Sequence, residues 1–268
     1  MLPGFPLALG ITLIWVGAIV ILPLTALALR PWENGWDGIW KTLTDDRVIA
    51  SLRLSFGLSA AAALLDIPLG LLVAWTLTRF EFPGRRLIDA LVDLPFALPT
   101  AVAGIALTAL YAPTGAFGQV ATKLGLNIAY SPLGIFIALV FIGLPFVVRQ
   151  VQPVLMDFDQ EVEEAATTLG ATPGQRFWRV MLPGLAPALF GGVSLAFARA
   201  VGEYGSVIFL AGTIPGQSEI APLLIVSKLE EYDYAGAATI GVTMVLISLA
   251  ALLALSVAQW LYAGRRAA

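Results

Sequence analysis

The sequence of 268 residues contains no cysteine and no histidine. Without thiols the chain can form no disulfide bond and offers no cysteine nucleophile, and without imidazoles it lacks the usual ligand sets of protein-bound zinc. Charged residues are also scarce, at 12% of the chain against about 25% in an ordinary soluble domain. The net charge of −3 and the pI near 5.0 argue against nucleic acid as a partner.

Hydrophobic residues make up 59% of the chain, and the mean hydropathy is +0.87. A helix needs about 20 mostly apolar residues to cross a bilayer. Six stretches have that length, at roughly 7–29, 54–78, 87–111, 132–151, 185–211 and 236–262. Together they predict an all-α, polytopic membrane protein with six transmembrane helices, in which residues 1–268 form a single transmembrane domain within the lipid bilayer.

The first run contains Ala26-Leu27-Ala28, which imitates the cleavage site of a signal peptide. A signal peptide has a basic start and a shorter apolar core, whereas this run starts without lysine or arginine. We therefore expect a retained first span.

Basic residues predict the orientation, because lysine and arginine are enriched on the cytoplasmic side. With the N-terminus inside, six of the 15 basic residues fall in outer segments, Arg199 falls within a span, and eight fall in cytoplasmic segments. Those eight are Arg79, Arg85, Arg86, Arg149, Arg176, Arg179, Arg265 and Arg266. Since acids accompany the bases of the first outer loop, we expect both termini in the cytoplasm.

A polar segment at 157–183 interrupts the apolar runs and contains EEAATTLGATPGQRFWRVMLP. Asp157 or Asp159 can cap a helix that starts near Gln160, and Gly170 stands where a left-handed residue ends a helix. The letters TPGQ that follow give a capping box and a second helix start, and the closing LP would end that second helix. The pattern predicts two short amphipathic helices at the cytoplasmic face. On the residues alone, a helix that only guides the chain back into the bilayer is an equal alternative.

The same segment resembles the E-A-A-x3-G-x9-I-x-L-P motif of ABC importer permeases, with Val180 in place of isoleucine. Four further stretches, LVDLPFALPTAVAGIAL, FIGLPFVVRQVQPVL, ARAVGEYGSVIFLAG and EIAPLLIVSKLEEYDYAGA, are similar to the sulfate/thiosulfate branch of that family, which is close to the molybdate and tungstate branch. The last stretch is more similar to T-type than to W-type sulfate permeases.

The resemblance implies a fold like that of type I ABC importer permeases, in which 157–183 is the coupling segment that inserts into a separate ATPase subunit. The residues it assigns to this contact are Glu163, Glu164, Ala165, Ala166, Gly170, Leu182 and Pro183. It also implies three kinds of partner in the bacterial cytoplasmic (inner) membrane system. These are a second, W-type permease in a heterodimer, two ATPase subunits, and an extracytoplasmic sulfate-binding protein.

The chain itself lacks the sequence of an ATP site. A P-loop requires G-x-x-x-x-G-K-[ST], and no Gly-Lys dipeptide occurs. We therefore expect no enzymatic activity and no cofactor on this chain, with ATP and Mg²⁺ bound by the partner ATPase. A secondary anion transporter is the alternative, although such a protein would not need two capped helices on one cytoplasmic loop.

Residues that are costly within a span are the candidates for the translocation path. Arg199 and Glu203, four residues apart on one helix face, would either form a structural ion pair or line the anion path. Asp66 would satisfy backbone donors near a proline, make a polar contact between helices, or border the path. Pro95 and Pro99 predict a break in the third span beside the path.

Two further groups of charges have weaker interpretations. Asp89 and Asp93 are expected to pair with Arg85 or Arg86, close by in the sequence. The last outer loop, 212–234, combines acidic and aromatic residues of the kind that a binding protein could contact, with a solvated loop as the alternative. Its candidate docking residues are Glu219, Lys228, Glu230, Glu231 and Tyr232.

Overall fold

The computed structural model describes residues 4–212 and 214–267, and of residues 263–267 it describes the backbone. The side chains of Arg265 and Arg266, which entered the prediction of orientation, thus lie outside the described part. The helices are α1 (Phe5–Val16), α2 (Leu22–Leu29), α3 (Gly35–Leu43), α4 (Asp46–Arg79), α5 (Arg85–Val92), α6 (Leu94–Ala97), α7 (Thr100–Tyr111), α8 (Ala116–Lys123), α9 (Pro132–Met156), α10 (Gln160–Thr168), α11 (Pro173–Arg176), α12 (Leu182–Val201), α13 (Gly205–Ala211), α14 (Ala221–Glu230) and α15 (Tyr234–Ala267).

Within the described ranges, five helical segments are long and apolar enough to cross a membrane. They are Phe5–Leu43, Asp46–Arg79, Pro132–Met156, Pro173–Val201 and Tyr234–Tyr262. A sixth is present if α7 and α8, which are bent by 47° at their junction, count as one broken span. The prediction of an all-α, multi-pass membrane protein is confirmed.

The predicted third span, 87–111, is not one helix but three short helices, α5, α6 and α7. Pro95 lies in the first turn of α6, and Leu98 and Pro99 are extended before α7. Proline lacks a backbone amide and disfavours helical backbone at the residue before it. The two prolines therefore account for the break that the sequence predicted at this point.

The prediction of a fifth span at 185–211 is wrong at both of its ends. A helix runs without interruption from Pro173 to Val201 through a π-helical turn at Phe177–Met181, so Leu182 and Pro183 do not end the second helix of the coupling segment. A proline removes one i→i−4 hydrogen bond, and a local π-helical turn is one way in which a membrane helix accommodates that loss. At the other end, α12 stops at Val201 and α13 starts afresh at Gly205.

Helix α9 lies at the centre of the fold, with α4 and α12 packed against it and against each other. Small residues allow this approach. Gly70 of α4 and Gly192 of α12 both face Val147 of α9, and an added side-chain carbon at either position would lie within 2.8 Å of Val147 atoms. Close contact at glycine is typical of helix packing in membranes. Half of the most apolar stretch of α9 is buried, whereas none of the most apolar stretch of Phe5–Leu43 is buried, so the first segment lies at the periphery.

Candidate functional site

The coupling segment folds into the two helices, α10 and α11, that its sequence predicts. The Asp159 side chain caps α10 by accepting a hydrogen bond from the Glu161 amide at 2.9 Å. Gly170 follows α10 with φ 83°, which is the left-handed conformation that glycine adopts readily. Thr172 and Gln175 form the capping box of α11, with N···O distances of 2.9 and 3.3 Å. The start of each of the two helices is thus fixed by local hydrogen bonds.

The apolar side of α10 faces away from the rest of the chain. Leu169 is 88% exposed and Val162 is 45% exposed. Ala165 is exposed and Ala166 partly so. An apolar patch with no cover inside the described part of the chain is typical of a surface that meets another protein. Glu164, between these residues, is exposed as well.

Glu163 faces the opposite way and holds α10 against α4. Its carboxylate accepts a hydrogen bond from Arg79 Nη2 at 2.5 Å, and each side chain is about one-fifth exposed. The Arg79 guanidinium also lies over the Trp75 ring at 5.6 Å, and Trp75 meets Phe177 edge to face with ring centroids 5.8 Å apart. Since α11 continues into α12, the coupling segment is attached to two of the three central helices.

The last two residues of the predicted motif belong to the body of the protein. Leu182 and Pro183 start α12 and are half-buried. Leu182 packs against the core that α4, α9 and α12 share. These two residues therefore connect the coupling segment to the core, and the outward surface of the segment consists of α10 and the turn at Gly170.

Arg199 and Glu203 form the predicted ion pair, at the break between α12 and α13. The other carboxylate oxygen of Glu203 accepts hydrogen bonds from the Ser206 amide and hydroxyl, both at 3.0 Å. Glu203 is 2% exposed, whereas about a third of the Arg199 side chain is exposed. Glu203 therefore satisfies a backbone amide in the first turn of α13, and Arg199 is the accessible half of the pair.

Asp66 lies deep in α4 and is fully buried. Neither carboxylate oxygen has a hydrogen-bond partner among the described residues. The expectation that Asp66 satisfies backbone donors or makes a polar contact between helices is therefore wrong within this structure.

The partner of Asp89 and Asp93 is Arg149 of α9, contrary to the sequence prediction of Arg85 or Arg86. Arg149 binds Asp89 Oδ1 at 2.7 Å through Nη1, and it binds the two Asp93 oxygens at 2.7 and 2.6 Å through Nε and Nη2. It also donates to the Asp89 carbonyl at 2.8 Å. Sequence reasoning missed this role, although an arginine within an apolar run calls for an acidic partner. The contacts fix α5 and α6 against α9.

An ion-pair network connects the outer end of α4 to the last outer loop. Arg47 binds Glu219 with two hydrogen bonds, at 2.7 and 2.8 Å, and Glu219 is 2% exposed. Lys228 pairs with Asp233 at 3.2 Å and with Glu231 at 3.5 Å. Partial burial lowers the pKa of Lys228, but the hydrogen bond from Lys228 to Asp233 and the two nearby acids outweigh it and raise that pKa above its ordinary value.

The predicted docking residues therefore separate into two groups. Glu219 is buried in the pair with Arg47, and Lys228 is partly buried, so both hold the loop in place. Glu230, Glu231 and Tyr232 are exposed, with Tyr232 at 79% and φ 61°. The outward-facing part of the loop is thus smaller than predicted.

Comparison with known proteins gives matches across nearly the whole chain. A family model described as a binding-protein-dependent transport system inner membrane component matches residues 66–266. The sulfate transport system permease protein CysT of Escherichia coli is 45% identical over 266 residues, covering 99% of this chain and 96% of the relative. A protein of the same name from a Synechocystis species is 46% identical over 257 residues, with coverages of 96% and 89%.

Solved structures have the same fold at much lower identity. A bacterial ABC transporter involved in the import of alginate has a chain that matches with a TM-score of 0.78 at 17% identity, covering 96% of this chain and 95% of that one. The MetNI methionine ABC transporter matches with a TM-score of 0.60 at 18% identity, covering 81% and 96%. At such identities the likeness concerns the fold.

Proposed function

This chain belongs to the family of binding-protein-dependent transport system inner membrane components, and from that premise we propose that it is the permease subunit of an ATP-driven importer of sulfate and thiosulfate. The assignment of substrate rests on 45% identity, over nearly the full length, to a relative named as a sulfate transport permease. A permease for molybdate or tungstate is the alternative within the family. Members of this family are transport components that work with ATPase subunits and a periplasmic binding protein.

The contribution of this chain to energy coupling is mechanical. ATP and Mg²⁺ bind the two ATPase subunits, and the outward surface of α10 and the turn at Gly170 dock there. A displacement of this turn passes to α4 through the Arg79–Glu163 pair and to α12 through the continuous helix. The spans then rock between inward-open and outward-open states, which is rigid-body motion about an interface. The second permease is a W-type relative, and both termini lie in the cytoplasm.

Arg199 is the residue of this chain best suited to attract a dianion within the membrane. Its guanidinium is partly accessible, whereas its partner Glu203 is buried and tied to Ser206. An ion path needs a site that attracts the ion but does not retain it. Pairing with Glu203 weakens the field of Arg199 and satisfies that requirement.

Substitutions at this pair distinguish a path role from a structural one. We expect Arg199→Ala to lower uptake about tenfold or more with normal insertion, because the path loses its positive charge. Glu203→Gln should also lower uptake with normal insertion, because it leaves the charge of Arg199 unpaired so that the ion is retained, while its amide oxygen can still accept from Ser206. The rate of uptake tests the path role, and the yield of monodisperse protein tests the structural role. Arg53→Ala, an exposed arginine of α4, is the control. If Arg199→Ala instead prevents assembly, the pair is structural.

The outer ion pair should contribute to stability. We expect Glu219→Gln to lower the midpoint of thermal unfolding by about 2–4 °C, which corresponds to roughly 1 kcal/mol for a protein of this size. The reason is that the Arg47 guanidinium, about a third exposed, loses a charged acceptor. Glu230→Gln, exposed on the same loop, should leave the midpoint unchanged. Equal shifts for the two variants would contradict this role of Glu219.

Uptake by cells tests the proposed function as a whole. A strain that lacks its sulfate permeases should regain uptake of labelled sulfate when this chain is supplied with its partner subunits. Excess thiosulfate should compete, and molybdate and tungstate should not. Uptake of molybdate instead would select the alternative substrate, and uptake that survives removal of the ATPase subunit would indicate a secondary transporter. Identification of the subunits that co-purify with the chain tests the heterodimer.

A further inference from the structure

Asp66 is enclosed on every side by residues of this chain. The residue has 0% exposure and lies where α4, α9 and α12 meet. Gly143 of α9 makes the room for its carboxyl group, since a side-chain carbon at position 143 would overlap Asp66 Oδ2 and lie 3.4 Å from Ala196 Cβ of α12. Neither lipid nor a partner subunit can reach the carboxyl group in this conformation.

No positive charge compensates this carboxyl group within the described residues. On α9 the ionisable residue is Arg149, which binds Asp89 and Asp93, and on α12 it is Arg199, which binds Glu203. On α4 itself, Arg53 and Arg79 each stand 13 positions from Asp66, about 20 Å along a helix.

Helix α14, which also packs against α4, offers no counter-charge to Asp66 either. Helix α14 meets α4 at Ser55, whose hydroxyl accepts a hydrogen bond from the Ala221 amide at 2.7 Å. That contact lies 11 positions outward from Asp66. The charged residues of α14 are Lys228, which is bound to acids of its own loop, and the exposed Glu230.

An ionised carboxylate is very costly in a dry interior without a partner, and in practice such a group takes up a proton. We propose that Asp66 is an intramembrane proton-binding site. Its carboxyl group is neutral in the conformation described here, and it ionises only when α4 separates from α9 far enough to admit water. This inference goes beyond the proposed function, because it is independent of the anion that is transported.

Asp66 and Gly143 meet at a level where both α4 and α9 can bend. Pro68 follows Asp66 by two residues in α4, and Pro145 follows Gly143 by two residues in α9. Each proline removes one intrahelical hydrogen bond, and helix kinks concentrate at prolines.

The state in which α4 and α9 are packed together binds one more proton than a state in which Asp66 is hydrated. Acidic conditions therefore favour the packed state, and alkaline conditions favour the separated one.

Infrared spectroscopy of the full-length chain in lipid bilayers tests the protonation directly. With ¹³C-labelled aspartate, we expect a carbonyl band of a protonated carboxylic acid that is present at neutral pH and shifts with the label. Because only aspartate carries the label, a label-sensitive band cannot come from the buried Glu203 or Glu219. Asp66 is the one buried aspartate among the described residues. The band should vanish in Asp66→Asn and persist in Asp37→Asn, an exposed control.

The wild-type spectrum decides this test even if Asp66→Asn does not fold. The absence of a label-sensitive band at neutral pH would overturn the proposal, as would its persistence in Asp66→Asn. Neither result depends on the transported anion, so a failure here is distinct from a failure of the proposed function.

The pH dependence of uptake by the complete transporter tests the link to conformation. In Asp66→Asn the side chain is neutral at every pH, so the ratio of variant to wild-type uptake should change severalfold across the range in which wild-type Asp66 titrates. Asp37→Asn should show a constant ratio. A constant ratio for Asp66→Asn as well would overturn the conformational link, because partner subunits affect both proteins equally.

Discussion

Replacement of Gly170 by valine is expected to leave the protein folded and inserted but to uncouple ATP hydrolysis from uptake. The glycine has φ 83°, and an added Cβ would meet nothing within 4 Å. The effect therefore comes from the backbone and not from a clash. A left-handed conformation costs an L-residue roughly 1–2 kcal/mol, and a β-branched side chain is especially poor there. The angle between α10 and α11 should change, and we expect uptake to fall about tenfold or more.

Measurement of uptake and of ATP hydrolysis on the same vesicles shows whether the two are uncoupled. Gly170→Asn should retain most uptake, since asparagine tolerates the left-handed region. Gly174→Ala is the matched control, because Gly174 lies in the same segment, also faces open space and has no positive φ. Normal uptake with normal stimulation of the ATPase in Gly170→Val would show that the turn does not couple the subunits.

Exchange of the charges of Arg79 and Glu163 is expected to rescue the defects of the single variants. Arg79→Glu and Glu163→Arg each place two like charges together where a hydrogen bond of 2.5 Å now joins α4 and α10. Because both side chains are only about one-fifth exposed, solvent screens the repulsion incompletely. We expect each single variant to lose about tenfold in uptake and the double variant to recover most of it.

The double-mutant cycle gives the coupling energy between the two positions. Glu164, the exposed neighbour of Glu163, is the control position. Glu164→Arg combined with Arg79→Glu should give additive losses. Additive losses for Arg79 and Glu163 as well would show that their ion pair does not transmit movement from the coupling segment to α4.

The coupling segment could be predicted almost completely from the sequence, because its determinants are local. A cap at Asp159, a left-handed glycine and a capping box each lie within a few residues of the backbone that they fix. The segment also carries a spacing of residues that resembles a known motif. Its orientation toward α4 was not predictable, since nothing near Glu163 indicates that Arg79 lies beside it.

The ion pairs show the limit of sequence reasoning more generally. Asp89 was assigned to a neighbour in the sequence, yet its partner Arg149 stands 60 positions away, and Glu219 pairs with Arg47 across 172 positions. One sequence does not reveal which helices are adjacent. Hydropathy likewise predicted a span at 54–78, but not the helical turns before it, which begin at Asp46.

An arginine near each end of helix α4 forms an ion pair with a glutamate from another part of the chain. Arg47 forms an ion pair with Glu219 of the loop at 212–234, and Arg79 forms an ion pair with Glu163 of α10. The 34 residues between these ends form one unbroken helix, about 50 Å long at 1.5 Å per residue. A displacement of one end passes to the other along this continuous helix, and any bend between the two ends concentrates at Pro68. One helix therefore joins the loop at 212–234 directly to α10, with no relay through other loops.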